Sequence, residues 1–173
     1  MANSTFYHGY TIAIQQDDDP MAPDDWDGNA ILVTTRNRYF SRQPKGFDLD
    51  EIRDGEFDET HFRYPLFMYA HSGVALSMSG FADPWDSGQC GYVLVPKDKT
   101  IDWDQEPVAR QAAQQTVAAW NQYLSGDVWG YVVTGPGDVN ESCWGFYGRD
   151  FCEKEARSLV DTLPRPEEAG CGR

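Results

Sequence analysis

The stretch LFMYAHSGVALSMS, residues 66–79, decides the fold class, because it holds two apolar runs with almost nothing between them. The runs cover 66–70 and 73–79, and only His71 and Ser72 separate them. A parallel connection needs about a dozen residues or more, so two strands this close pair as an antiparallel hairpin. The chain around this hairpin is therefore expected to build an antiparallel sheet.

Five further runs read as strands, because their apolar residues alternate or are continuous. They lie at 6–15, 29–35, 91–96, 128–134 and 142–147. The turn-rich segment GPGDVNE, residues 135–141, separates the last two runs and predicts a second hairpin.

Two segments in the C-terminal half predict helices. The first runs from Pro107 to Gly126, and the second ends at Pro164. Their apolar stripes follow the helical period and consist of Ala109, Ala113, Val117, Trp120 and Leu124 in the first, and Ala156, Leu159, Val160 and Leu163 in the second.

These elements together predict an α+β fold with mainly antiparallel β-sheet and about two helices in the C-terminal half. A chain of 173 residues fits a single domain spanning 1–173. Acidic loops are expected at 17–27 and 41–63, the latter as an ordered excursion or a mobile loop, and a flexible tail at 165–173.

The composition bears on the compartment and on metal chemistry. No window approaches the roughly 18 apolar residues of a membrane span, and the first residues lack the pattern of a signal peptide, so a cytoplasmic protein is expected. The four cysteines are then expected to be reduced, and their irregular spacing predicts no metal site and no cofactor. Cys143, in a strand pattern, is expected to be a buried small hydrophobe.

The formal charge of −14 is concentrated in three segments. Residues 17–27 carry −6, residues 45–59 carry −5 and residues 98–106 carry −3. This clustering predicts a face for a basic protein partner, with carboxylates spaced like nucleic-acid phosphates; the alternative is a surface that only maintains solubility. Without a basic patch, direct nucleic-acid binding is not expected. The predicted partner-binding residues are Asp17, Asp18, Asp19, Asp24, Asp25, Asp27, Asp48, Asp50, Glu51, Asp54, Glu56, Asp58 and Glu59.

The segment PWDSGQ, residues 84–89, is the alternative site, and it has two interpretations. The catalytic one uses His71 as base and Ser87 as nucleophile, with Asp86 and Gln89 nearby. The structural one makes a tight corner in which Asp86 and Ser87 accept backbone N–H groups, Trp85 folds back over the sheet edge and becomes buried, and Gly91 allows a close strand approach.

A groove lined by aromatic side chains is a further alternative in the C-terminal half. Trp129 with Tyr131, and Trp144 with Phe146, have the spacing of two that places side chains on one face of a strand. The simpler interpretation is packing, in which Gly130 and Gly145 leave room for a ring from a neighbouring strand.

Three segments together resemble a group of phage and prophage proteins of unassigned function. They are YAHSGVALSMSGFADPWDSGQCGYVLV (69–95), YLSGDVWGYVV (123–133) and SCWGFYG (142–148), with DDWDGNAILVTTRNRY (24–39) as a looser fourth. Members of that group often read Tyr-Asp-His-Ser-Gly where this chain has Ala70 before His71, so that adjacent Asp-His pairing is absent. They tend to have an aliphatic residue in place of Cys90, so a shared role for that thiol is not implied. The resemblance implies a phage origin and no particular activity.

These observations predict a non-enzymatic phage protein of the host cytoplasm. It is expected to offer its acidic surface to a basic host protein, for example as an inhibitor of a nucleic-acid-handling or defence factor. One alternative is a small-molecule enzyme or binder that uses the region from His71 to Gln89. The other is a structural or assembly component of the phage particle.

Overall fold

The computed structural model describes residues 3–23, 30–98, 100 and 104–165. These residues form two antiparallel sheets and three helices, which confirms the predicted α+β class with mainly strand content. The chain divides into two compact units, Met1–Met21 with Gly126–Arg173, and Ala22–Ser125. The single domain remains a prediction, as does the flexible tail, of which 166–173 lie outside the described residues.

The unit formed by Ala22–Ser125 contains a sheet with a helix on each face. Its strands are β3 (Ile31–Thr34), β4 (His61–Ala70), β5 (Val74–Ser77) and β6 (Ser87–Pro96), in the order β3-β6-β4-β5, and its helices are α1 (Leu49–Asp54) and α2 (Glu106–Ser125). Leu32 and Val93 pack with the α2 stripe, whereas Val33 and Leu94 pack with Ile52 of α1. Because neighbouring residues of a strand point to opposite faces, α1 and α2 lie on opposite faces of this sheet.

The other unit contains a four-stranded sheet covered on one face by a helix. Its elements are β1 (Asn3–Tyr7), β2 (Tyr10–Gln16), β7 (Val128–Gly135), β8 (Val139–Tyr147) and α3 (Arg149–Thr162), and the strand order is β1-β2-β7-β8. Buried strand residues such as Ile12 and Val133 contact Cys152, Ala156 and Val160 of α3. This apolar stripe of α3 holds the helix on the sheet.

The predicted hairpins and both C-terminal helices are confirmed, and two local elements differ from expectation. The run 6–15 is two strands, because His8 and Gly9 both have positive φ (50° and 89°) and form a tight hairpin turn. The segment 41–63 contains the short helix α1, so it is an ordered excursion. Among the described residues, no helix has the length and apolar character needed to cross a membrane.

Candidate functional site

Residues 47–59, here called the acidic lobe, form an ordered segment on the sheet of the unit Ala22–Ser125. The carboxylate of Asp48 caps α1 by accepting hydrogen bonds from the backbone N–H groups of Asp50 (2.8 Å) and Glu51 (3.3 Å). Gly55, with φ of 90°, ends the helix in the left-handed conformation that glycine adopts without strain. The local sequence therefore determines both ends of α1.

The acidic lobe is fixed to the sheet by apolar side chains. Ile52 is fully buried against Val33 and Leu94, while Phe47, Leu49 and Phe57 are partly buried around them. The rings of Phe47 and Phe57 lie 5.2 Å apart. A helix of six residues is too short to be stable alone, so this packing is what orders the lobe.

Arg63 of β4 links the sheet to the acidic lobe. Its guanidinium donates to the carbonyl oxygens of Ile52 and of Arg53 (2.8 Å), and it forms an ion pair with Asp58 at 3.1 Å. The same guanidinium lies over the ring of Tyr92, 5.5 Å from its centroid. It thereby satisfies carbonyl groups at the C-terminal end of α1, where a positive charge is also favoured by the helix dipole.

Some carboxylates of the acidic lobe form ion pairs or accept hydrogen bonds, and others do neither. Asp50 pairs with Arg53 at 2.8 Å, and Asp54 lies 3.8 Å from the same guanidinium. Asp48 and Asp58 have the partners given above. Within the acidic lobe, the exposed carboxylates that form no ion pair and accept no hydrogen bond from the described residues are Glu51, Glu56 and Glu59.

Three other predicted partner-binding residues, Asp17, Asp18 and Asp19, belong to the unit that contains β2. Asp17 follows β2 and donates its backbone N–H to the carbonyl of Val128 at 2.8 Å, and its carboxylate accepts from the N–H of Asp19 at 3.1 Å. Asp18 and Asp19 are exposed. Asp24, Asp25 and Asp27 lie outside the described residues. A single face built from all the predicted carboxylates remains a prediction.

The corner that precedes β6 is organised by local hydrogen bonds. The carboxylate of Asp83 accepts from the N–H groups of Trp85 (2.8 Å) and Asp86 (3.3 Å), and the hydroxyl of Ser87 donates to the carbonyl of Asp83. Nδ1 of His71 lies 3.1 Å from Oδ2 of Asp86. Asp86 therefore supplies a carboxylate partner for His71 from outside the Tyr-Ala-His-Ser-Gly segment.

This corner corrects two structural expectations. Trp85 is 92% exposed, so the prediction that it is buried over the sheet edge is wrong. The backbone N–H groups are accepted by Asp83, and Ser87 acts as a donor. Because its hydroxyl points to a backbone carbonyl, Ser87 is not arranged as a nucleophile activated by His71. The side-chain amide of Gln89 lies 3.4 Å from the carbonyl of Gly91, within the strand.

The four aromatic residues proposed as a groove do not share one surface. Trp129, Tyr131 and Phe146 pack on the face that α3 covers, with the Tyr131 and Phe146 rings stacked at 5.4 Å. Trp144 instead covers Gly130 from the opposite face, which leaves no space for a side chain at that glycine. Gly145 has nothing near its Cβ position; its φ of 85° suits the bulge between β7 and β8.

The described cysteines differ in exposure. Burial raises the pKa of Cys90 and of Cys152 to about 11, so both thiols are protonated at neutral pH and are poor nucleophiles and metal ligands. Cys143 is exposed, contrary to expectation, because it lies on the outer strand β8. Among the described residues, no three His, Cys, Asp or Glu side chains are placed to hold a metal ion.

Arg63 is the residue that the sequence pattern did not single out. It lies in a strand, and its three partners are five to eleven positions away in a segment read only as an acidic loop. The available signal was an arginine four positions after Glu59, the last acid of the segment.

Comparisons of this chain with protein-family models, with curated proteins and with solved structures gave no match.

Proposed function

We propose that this protein acts by binding, without chemistry of its own, and that the acidic lobe contacts a basic protein. The observation that carries this proposal is the fixed presentation of Glu51, Glu56 and Glu59. The lobe that bears them is anchored by Ile52 and held by Arg63, while these three carboxylates have no ion-pair partner among the described residues. Charges on an ordered support lose little conformational entropy when a partner binds, which favours association.

The resemblance to phage and prophage proteins supports the kind of partner that we propose. A phage protein that acts in the host cytoplasm meets nucleic-acid-handling and defence proteins, whose grooves carry lysine and arginine. Carboxylates presented in place of phosphates would compete for such a groove. The partner that we propose is therefore a basic host protein of this class and not nucleic acid, which the same negative charge would repel.

The test compares two triple variants with the same change in charge. One carries Glu51→Gln, Glu56→Gln and Glu59→Gln, and the other carries Asp17→Asn, Asp18→Asn and Asp19→Asn; each takes the formal charge from −14 to −11. The probe is a peptide of alternating arginine and alanine, and its association rate is measured by surface plasmon resonance over a range of salt concentrations.

We expect the lobe variant to associate several-fold more slowly and to show a weaker dependence on salt, because salt screens long-range attraction within about 10 Å at 0.1 M. The Asp17–Asp19 variant is expected to retain most of the rate. Equal losses in the two variants would mean that only total charge matters and would contradict a role for the lobe. Capture from a host lysate at low and at high salt then identifies the natural partner.

A further inference from the structure

The face of the sheet that carries the acidic lobe also carries aromatic side chains that neither helix covers. Met68 of β4 belongs to the core under α2, so its neighbours Phe67 and Tyr69 point to the opposite face, which is the face of α1. Both are half-buried. The ring of Phe81 lies 5.7 Å from that of Tyr69 and therefore belongs to the same surface.

Trp85 lies in the corner beside the end of β4 that carries these rings. It precedes Ser87 by two residues, and Ser87 pairs with Tyr69 across the sheet. We call Phe67, Tyr69, Phe81 and Trp85 the aromatic strip. Along β4, Tyr69 is six residues from Arg63, which holds the lobe, and this corresponds to about 20 Å at roughly 3.3 Å per residue. A partner that buries about 800 Å² on each side can cover both features.

The exposed ring of Trp85 is on a backbone that is already ordered. The Asp83 carboxylate holds two N–H groups of the corner, the Ser87 hydroxyl closes it, and Asp86 connects it to His71. A tryptophan presented in this way brings a large apolar surface to an interface at a small cost in conformational entropy, and tryptophan is among the residues that dominate binding energy.

The charges around the aromatic strip indicate its partner. Asp83 and Asp86 flank Trp85, and the acidic lobe borders the other end of the face. The basic groups described at this face are Arg53, Arg63, Lys97, His61 and His71. Arg53, Arg63 and His71 each lie beside a carboxylate, and Lys97 donates to the carbonyl oxygen of Asp58. The seven carboxylates of the lobe outnumber these basic groups. The face as a whole therefore presents apolar rings between negative charges, which is complementary to an apolar pocket bordered by lysine or arginine.

We propose that the aromatic strip and the acidic lobe form one interaction surface, on which Trp85 inserts into an apolar pocket of the same basic protein that the lobe attracts. This inference rests on the proposed function and assigns the apolar part of its recognition. The lobe accelerates association, and the aromatic strip slows dissociation.

The experiment uses two peptide probes of equal charge, one of alternating arginine and alanine and one of alternating arginine and leucine. Binding is measured with the unmodified protein, with Trp85→Ala, with the lobe variant Glu51→Gln, Glu56→Gln, Glu59→Gln, and with Phe6→Ala as the control. Phe6 is 75% exposed on β1 of the other unit and tests whether any exposed aromatic residue has the same effect. Thermal melting is recorded for each variant.

We expect the leucine peptide to bind more tightly than the alanine peptide, and Trp85→Ala to remove most of that difference, with an effect of about tenfold or more. The lobe variant should weaken both peptides, and Phe6→Ala neither. If Trp85→Ala leaves the leucine peptide unaffected while the lobe variant weakens both, the inference is overturned and the proposed function stands.

If Trp85→Ala weakens binding while the lobe variant changes nothing, the proposed function fails, and the shared surface fails with it. Failure of both peptides to bind overturns both proposals. Sedimentation at several protein concentrations tests whether a second copy of this chain binds to the aromatic strip. Self-association that Trp85→Ala abolishes would show such binding and would likewise overturn the inference.

Discussion

Gly91 shows how a single position limits the approach of two strands. A Cβ atom at this residue of β6 would lie 2.0 Å from the carbonyl oxygen of Val33 and 2.8 Å from Cα of Thr34. Both obstacles are backbone atoms of β3, so a side chain at position 91 could be accommodated only if the strand moved. The expectation from the sequence that Gly91 permits a close approach is confirmed.

Gly91→Ala is therefore expected to destabilise the protein by about 1–3 kcal/mol, the usual cost of overfilling a packed site. Gly88→Ala is the matched control, since it lies in the same strand and nothing lies within 4 Å of its Cβ position. That change is expected to be neutral or to stabilise by up to about 1 kcal/mol, because it reduces the entropy of the unfolded chain. Urea denaturation measures the free energy of unfolding of both variants. If Gly91→Ala is no less stable than Gly88→Ala, strand β3 moves aside without a loss of stability and the argument is wrong.

His61 gives the acidic lobe a dependence on pH. Its ring lies 5.7 Å from that of Phe47 and 5.9 Å from that of Phe57, and Nδ1 is 2.8 Å from the Thr60 hydroxyl. Burial, and secondarily the charge of Lys97, lower the pKa of His61 below its ordinary value of 6.5. The unfolded chain therefore binds a proton at a higher pH than the folded chain does.

It follows that the contribution of His61 to stability is fully present above pH 6.5 and is lost as the pH falls through the folded pKa. The free energy of unfolding should decrease over that range, and His61→Gln should reduce the decrease. An NMR titration of the imidazole gives the folded pKa directly. A midpoint at or above 6.5 would contradict the expected direction.

At the scale of elements, α1 depends on one side chain from a neighbouring strand. Arg63→Ala would leave two carbonyl groups at the end of α1 and the carboxylate of Asp58 without this donor. We expect a loss of about 1.5–3 kcal/mol, typical of hydrogen bonds to a charged group, measured by urea denaturation. Arg53→Ala is the control; its ion pairs lie within α1 and are exposed, so its expected effect is about 0.5 kcal/mol or less. Equal losses would refute the role assigned to Arg63.

Strand β5 is an edge strand, and α2 protects it. The side chain of Asn121 accepts from the N–H of Leu76 at 2.7 Å and donates to its carbonyl at 2.9 Å, in the place of a neighbouring strand. Asn121→Ala should lower stability by about 1–3 kcal/mol through the loss of these bonds and should promote self-association through the free edge. Gln122→Ala on the same helix serves as the control. Denaturation and sedimentation velocity provide the two readouts, and a monomer of unchanged stability would contradict the argument.

The elements that the sequence predicted well are those whose signal is local. The connection between β4 and β5 is too short for any arrangement except a hairpin, since it consists of His71, Ser72 and Gly73. The buried residues of α2 follow the helical period. The turn at His8 escaped detection because a histidine with positive φ is uncommon. The helix α1 was missed because it buries only Ile52 in a polar segment.

The candidate site also has parts that the sequence predicts and parts that it does not. The clustered carboxylates are a property of composition and could be read directly, whereas their anchoring depends on contacts between β4 and the lobe, in particular those of Arg63. Trp85 was expected to fold back over the sheet edge and become buried, but the hydrogen-bonded corner around it leaves the ring exposed. Residue type alone does not contain that information.

At the scale of the whole molecule, the charge of −14 acts against compactness. Within the lobe the repulsion is also local, since Glu51 and Asp54 are three positions apart on α1 and both are exposed. Like charges at this spacing destabilise a helix by about 0.2–0.5 kcal/mol for each pair. Added salt screens such repulsion, so stability should rise as the ionic strength increases from a low value.

The same two triple variants test this effect in the absence of any partner. Urea is uncharged and allows salt to be varied independently, so the free energy of unfolding can be measured at each ionic strength. Glu51→Gln, Glu56→Gln, Glu59→Gln should be slightly more stable than the unmodified protein at low salt and should gain less from added salt. Asp17→Asn, Asp18→Asn, Asp19→Asn should gain less stability, because the Asp17 carboxylate accepts a backbone hydrogen bond. Identical behaviour of the two variants would assign the repulsion to total charge, and a loss of stability in the lobe variant would show that these glutamates make stabilising contacts.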